Sequence, residues 1–221
     1  LCRLGHASAQ RHLTHLIYDG VNDIPARALL RDSYGYCHEH AWMLPESGES
    51  APLGIAIIHR DVLNTLRQRL QQAKFTRERG TGLRALFSAP KPELDVDPTV
   101  TRYLPAQAAC PACAQRAEAE QLSLTSLLEA LDKEDEAMLG ALAASEGLCL
   151  AHLRMALGRA RKQETFDALV SLTSAQLDDL IHDLDEFVRK SDHRFRDEKI
   201  SAQEADGWRR ALQRVSGNKK G

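Results

Sequence analysis

Several things are scarce in this chain of 221 residues, and each scarcity removes a class of protein. Aromatic residues make up 5% of it, and no run of β-branched or aromatic residues alternates with period two, so a β-sheet core is not expected. Apolar runs such as Ile55–Ile58 are as long as any, far short of the roughly 18 to 20 residues of a membrane-spanning helix, so no span is expected. A formal net charge of -2 gives no overall pull towards nucleic acid or anionic lipid. The cysteines number five. An odd count in CxxC and CxxH arrangements argues against a disulfide framework and for metal chemistry in a reducing compartment, so a cytoplasmic location is expected.

Helical periodicity fills most of what remains. Leu13, Leu16 and Ile17 form one apolar stripe, and Val62, Leu63, Leu66 and Leu70 another. Leu177, Leu180, Ile181, Leu184, Phe187 and Val188 follow i, i+3, i+4, i+7 spacing. Gly20, Pro25 and the Pro45–Pro52 stretch interrupt the first part, before a long helix expected over about Leu53–Lys74. The segment 80–109 carries Gly80, Gly82, Pro90, Pro92, Pro98 and Pro105 and reads as a linker. Helical patterns resume at Cys110, with breaks near Gly147, Arg161 and His193. The expectation is an all-α protein with a module at 1–79, the linker at 80–109, a second module at 110–162 and C-terminal helices, a hairpin, at 163–221.

The two modules rest on an internal similarity. Ser33-Tyr-Gly35-Tyr-Cys37-His-Glu-His40-Ala-Trp-Met43 shares Ser, Gly, Cys, His and Met with Ser145-Glu-Gly147-Leu-Cys149-Leu-Ala-His152-Leu-Arg-Met155. Upstream, Leu13, Thr14 and Leu16 match Leu124, Thr125 and Leu127, and Cys2 matches Cys113. Chance is a poor account when most of the cysteines take part.

A CxxC turn sets two thiolates on one side, and a CxxH opening a helix adds two ligands one turn apart. Helix N-termini also favour thiolate through their free N–H groups. The second copy supplies Cys110, Cys113, Cys149 and His152, a Cys3His set suited to tetrahedral zinc. The first supplies Cys2, Cys37 and His40. Its fourth ligand is expected as a cysteine preceding Leu1 in register, or otherwise His6 or His38. Two zinc ions per chain are therefore expected, with an iron–sulfur cluster as the alternative cofactor. A thioredoxin-like dithiol at Cys110 and Cys113 lacks the βαβ pattern it would need.

At these residues the chain resembles an uncharacterised bacterial family with paired CPxC…CxxH halves. The likeness extends to Tyr18-Asp-Gly-Val-Asn-Asp-Ile-Pro25, to Leu53-Gly-Ile-Ala-Ile-Ile-His-Arg-Asp61, and to Glu186-Phe-Val-Arg-Lys190 through Phe195. The family is one of unknown function, so the likeness brings no activity, and the first CPxC cysteine is the one departure from its pattern.

Other groups have duller readings. His12 and His15, at i and i+3, could ligate a metal but suit a solvated face. Asp19, Asn22, Asp23, Arg27 and Arg31 could contact an anion or substrate, against the reading of Asp23 as a helix cap before Pro25. His59 and Asp61 point to different faces of a helix. Asp179, His182, Asp183 and Glu186 share a face but have no matching ExxH motif opposite. Eight basic residues from Arg60 to Lys91 face only Asp61 and Glu78, which would suit nucleic acid, yet Phe75 and Phe87 are the sole aromatics there. With no nucleophile–base–orienter set and no phosphate loop, an enzyme is not expected. The reading is a zinc-binding interaction or scaffold module with a protein partner. The alternatives are an iron–sulfur electron carrier or redox sensor, and a nucleic-acid-binding regulator.

Overall fold

The computed structural model describes residues 1–48, 51–72, 104 and 108–218, and among these it is all α-helical, without strands. Nine α-helices occur among the described residues. They are α1 (Cys2–His15), α2 (Ile24–Asp32), α3 (His38–Met43), α4 (Ala51–Gln72), α5 (Pro111–Asp132), α6 (Glu136–Ala143), α7 (Leu150–Arg159), α8 (Gln163–Lys190) and α9 (Ala202–Ser216). A π-helical turn, Leu16–Gly20, extends α1, and 3-10 turns at Leu44–Ser47 and His193–Phe195 follow α3 and α8. Of the expected linker 80–109, all but Leu104, Ala108 and Ala109 lies outside the described residues, as does most of the basic stretch Arg60–Lys91.

Local chemistry accounts for most helix starts. The Asp23 carboxylate accepts the Ala26 amide at 2.7 Å and Pro25 follows at the first turn, a preset entry into α2. Asp135 caps α6 through the Met138 amide at 3.0 Å. At α9 Ser201 and Glu204 exchange side-chain-to-backbone hydrogen bonds in a full capping box. Lys133-Glu134-Asp135 makes a break between α5 and α6 that periodicity did not show, and Glu134 turns the chain with a φ of 57°.

The chain forms two compact units that cut across the expected modules. One is Ala9–Gln115; the other joins Leu1–Ser8 to Arg116–Gly221. The first unit closes over Ala9, Leu13, Leu16, Ile17, Leu30, Met43, Leu44, Ile58 and Val62, on the inner faces of α1, α2, α3 and α4. Leu13 and Leu44 are fully buried. Each such side chain contributes roughly 1.5–3 kcal/mol relative to exposure. The second unit has its core at Leu124, Leu127, Leu128, Leu131, Ala156 and Leu169, from α5, α7 and α8. In the same unit α8 and α9 pack along each other as the expected C-terminal pair. Lys190 meets Glu204 at 2.7 Å and Arg210 meets Asp183 at 2.6 Å. Gly207 lies flat on Leu184, where an added Cβ would touch Leu184 at 3.4 Å.

Candidate metal centres

Each Cys-x-x-His segment is built as a turn that launches a helix. At Ser33–Cys37 the chain leaves α2, reverses through Gly35 with a φ of 91°, and re-enters helix α3 with Cys37 as its N-cap residue. The Gly35 amide donates to the Leu30 carbonyl at 2.7 Å, closing the end of α2. The second segment repeats the pattern, with Gly147 at a φ of 74° and Cys149 as N-cap of α7. The cysteine-to-histidine spacing then folds one helical turn back on itself. His40 Nδ1 lies 3.2 Å from Cys37 Sγ, and His152 Nδ1 lies 3.1 Å from Cys149 Sγ. Both histidines are buried.

Around these pairs the structure gathers the other cysteines in a partition different from the expected one. Cys37 and His40 stand with Cys110 and Cys113, and Cys2 stands with Cys149 and His152. In each group the potential ligand atoms lie within 4.8 Å of one another. The expected sets, Cys110 and Cys113 with Cys149 and His152, and Cys2 with Cys37 and His40, are not the ones that gather among the described residues. Helix α5 begins at Pro111, in the unit of Cys110 and Cys113, and the rest of it from Arg116 belongs to the unit of Cys149 and His152, so each group gathers within one compact unit. Neither His6, half-buried on α1, nor His38, exposed on α3, joins either group.

The distances within each group describe one small polyhedron. In the first centre Cys37 Sγ is 3.6 Å from Cys113 Sγ, and His40 Nδ1 is 3.3 Å from Cys113 Sγ and 3.7 Å from Cys110 Sγ. In the second, Cys2 Sγ is 3.5 Å from Cys149 Sγ and 3.4 Å from His152 Nδ1. All five cysteines are free thiols. A tetrahedral ion with M–S of about 2.3 Å and M–N of about 2.05 Å has S···S edges of about 3.8 Å and S···N edges of about 3.5 Å. The chain thus presents two Cys/His groups that could each hold a metal ion.

Electrostatics differ between the thiols. Burial pushes the Cys37 thiol up, but the backbone N–H groups of His40 and Glu39 and the neighbouring thiols outweigh it, and the net shift is downward. Cys113 moves the other way, to about 12, through burial and the crowding of Cys37 and Cys110. Burial and Cys2 raise Cys149 against the pull of the His152 and Ala151 amides. Burial lowers His152 more than the Glu120 carboxylate raises it, which favours the neutral imidazole a metal needs.

The surroundings contain residues that motif reading passed over. Arg214 of α9 is buried, donates to the Glu146 carbonyl at 2.6 Å and to Gln176 Oε1 at 3.0 Å, and so fastens the loop that presents Cys149. Gln176 in turn donates to the Leu142 and Ser145 carbonyls at 3.0 and 3.1 Å. Cys2, Cys149 and His152 also line a cavity of about 1130 Å³ whose wall includes Leu122, Met138 and Arg214. The apolar spacing of Leu177–Val188 pointed to α8, and nothing in it marked Gln176 or Arg214.

The other sequence candidates have local partners. Asp19 pairs with His15 at 3.2 Å with both side chains exposed, Asp23 caps α2, and Asn22 is exposed. Arg27 and Arg31 both reach Asp61 of α4, at 3.1 and 2.8 Å. Asp23 thus forms a cap, Asp19 a surface pair, and Arg27 and Arg31 an interhelical brace. His12 Nε2 meets the Tyr36 hydroxyl at 3.2 Å, and His59 Nδ1 meets the Ile55 carbonyl at 2.8 Å. On α8 Asp183 pairs with Arg210, and Glu186 with Arg189 and Lys190. Among the described residues no helix is long and apolar enough to cross a membrane.

No curated protein and no solved structure matches the chain. All of residues 1–221 match a family of unknown function, DUF6062, and the chain belongs to that family.

Proposed function

We propose that this member of the family is a zinc protein: two metal ions organise its helices, and the protein serves as an interaction or scaffold module. The ligands are Cys37, His40, Cys110 and Cys113 in one centre, and Cys2, Cys149 and His152 in the other. The observation that carries the reading is that the donor atoms of each group lie within 4.8 Å of one another, with the hydrogen-bonded pairs at 3.1 to 3.7 Å, close to the edges of a tetrahedron around one ion. Donors this close surround a single ion. The thiolates of a four-iron cluster each bind a different iron and must stand further apart, which counts against the cluster alternative. Borderline-soft Cys/His donors select zinc over magnesium or calcium.

The interaction role draws on the outer face of α8. Phe166, Val170, Leu177, Ile181 and Val188 are all exposed, and their spacing of four and seven residues keeps them on one side of the helix. A row of apolar side chains of this length fits a protein partner better than water. Charge offers no comparable feature for nucleic acid on the described residues.

Metal analysis and a visible spectrum of anaerobically purified protein test this reading. Two zinc ions per chain and no visible absorbance are expected. A brown protein absorbing near ~400 nm, as clusters do, would replace zinc by iron–sulfur.

A further inference from the structure

The two histidines meet their thiol groups through Nδ1, which leaves Nε2 to a second partner. For His152 that partner is Glu120 of α5, whose Oε2 lies 3.5 Å from Nε2. Both side chains are largely shielded, at 5% and 14% exposure. The other carboxylate oxygen, Oε1, accepts from Arg116 Nε at 3.0 Å, one turn earlier on the same helix. The carboxylate is therefore held from both sides.

Space has been made for it. Gly5 lies inside helix α1, where a glycine costs roughly 1 kcal/mol relative to alanine. A Cβ at Gly5 would fall on the Glu120 carboxylate and its Cγ. The glycine thus exchanges helix stability for room beside His152. The residue in register with Glu120 in the first half of the chain is Ala9, which is fully buried and brings no carboxylate by the same route.

We infer that Glu120 is the positioning residue of the second centre: it accepts the Nε2–H of His152, fixes the tautomer with its lone pair on Nδ1, and aims that lone pair at the metal held with Cys2 and Cys149. Arg116 orients the carboxylate, and Gly5 admits it. This rests on the metal reading above and adds to it a carboxylate standing behind His152. Outer-shell carboxylates of this kind typically strengthen metal binding by roughly 10–100-fold.

The test compares the full chain with Glu120→Ala and Glu120→Gln, using zinc as the probe, a chromophoric chelator as competitor, and 15N NMR of the imidazole nitrogens. In the parent, His152 should show a metal-bound Nδ1 and a protonated Nε2. Glu120→Ala should weaken zinc at the second centre by roughly 10–100-fold, leave the first unchanged, and shift the His152 Nε2 signal while His40 stays put. Glu120→Gln keeps the volume and an acceptor oxygen, so the fold should persist with a loss nearer ten-fold. Parental zinc affinity and an unmoved Nε2 signal in both variants would overturn the relay and leave the metal reading standing. A parent that binds no zinc would overturn both.

Discussion

The two Cys-x-x-His turns share a backbone and differ in what surrounds it. Gly35 and Gly147 both take the left-handed conformation, at φ values of 91° and 74°, and both hand the chain to an N-cap cysteine. Among the described residues nothing lies within 4 Å of a Cβ placed at Gly35, whereas the Arg214 guanidinium and Gln176 occupy the place of a side chain at Gly147. The first turn is closed by its own α2, through the Gly35 amide and by the Ser33 hydroxyl, which lies 2.9 Å from the Leu29 carbonyl. The second is held by residues of α8 and α9 more than 25 positions away. One local motif has thus been stabilised once by local hydrogen bonds and once by tertiary ones. The C-terminal helices are accordingly part of the second centre's support rather than an appendage.

Breaking the centres should have the largest effect. Zinc binding contributes on the order of 10 kcal/mol in small zinc peptides. Cys149→Ser should therefore lose the metal and melt the Leu1–Ser8 with Arg116–Gly221 unit, and Cys37→Ser the Ala9–Gln115 unit, each followed by hydrogen exchange. Full stability of both variants without metal would show the centres to be dispensable. The two glycines sharpen the comparison at the next scale. Gly35→Ala should cost about 1 kcal/mol for backbone strain alone. Gly147→Ala should cost about 3 kcal/mol or more, because the strain is joined by displacement of the Arg214 clamp. Equal losses by denaturant titration would contradict the difference drawn between the turns.

The smallest effect concerns the brace in the first unit. Burial would raise the Asp61 carboxyl, but Arg31 and Arg27 hold it below its ordinary value of 3.8. Since the folded value is the lower one, its contribution is present above that ordinary value and is lost as the pH falls through the folded value. Asp61→Asn should cost about 1 kcal/mol at neutral pH, discounted for partial exposure, and the difference from the parent should vanish in acid.

Much of this organisation is legible in the residues themselves. The helical class follows from spacing and from missing β patterns, and the breaks near Gly147, Arg161 and His193 fall between helices. The Asp23 cap was readable because a cap is a local contact. The seven cysteine and histidine positions that the motifs singled out are the ones that gather, but their partition was not legible. Motif reading joins residues adjacent in sequence, so it paired Cys113 with Cys149. Glu120 and Arg214 carry no motif, since a single acid or arginine on a helix acquires its meaning only from what packs against it.

The most direct measurement is the zinc retained against a competing chelator in two double variants. Cys37→Ser with Cys113→Ser removes two ligands of one centre and should leave one zinc per chain. Cys113→Ser with Cys149→Ser takes a ligand from each centre and should leave none. The opposite pattern, none in the first variant and one in the second, would contradict the exchanged partition on which the account stands.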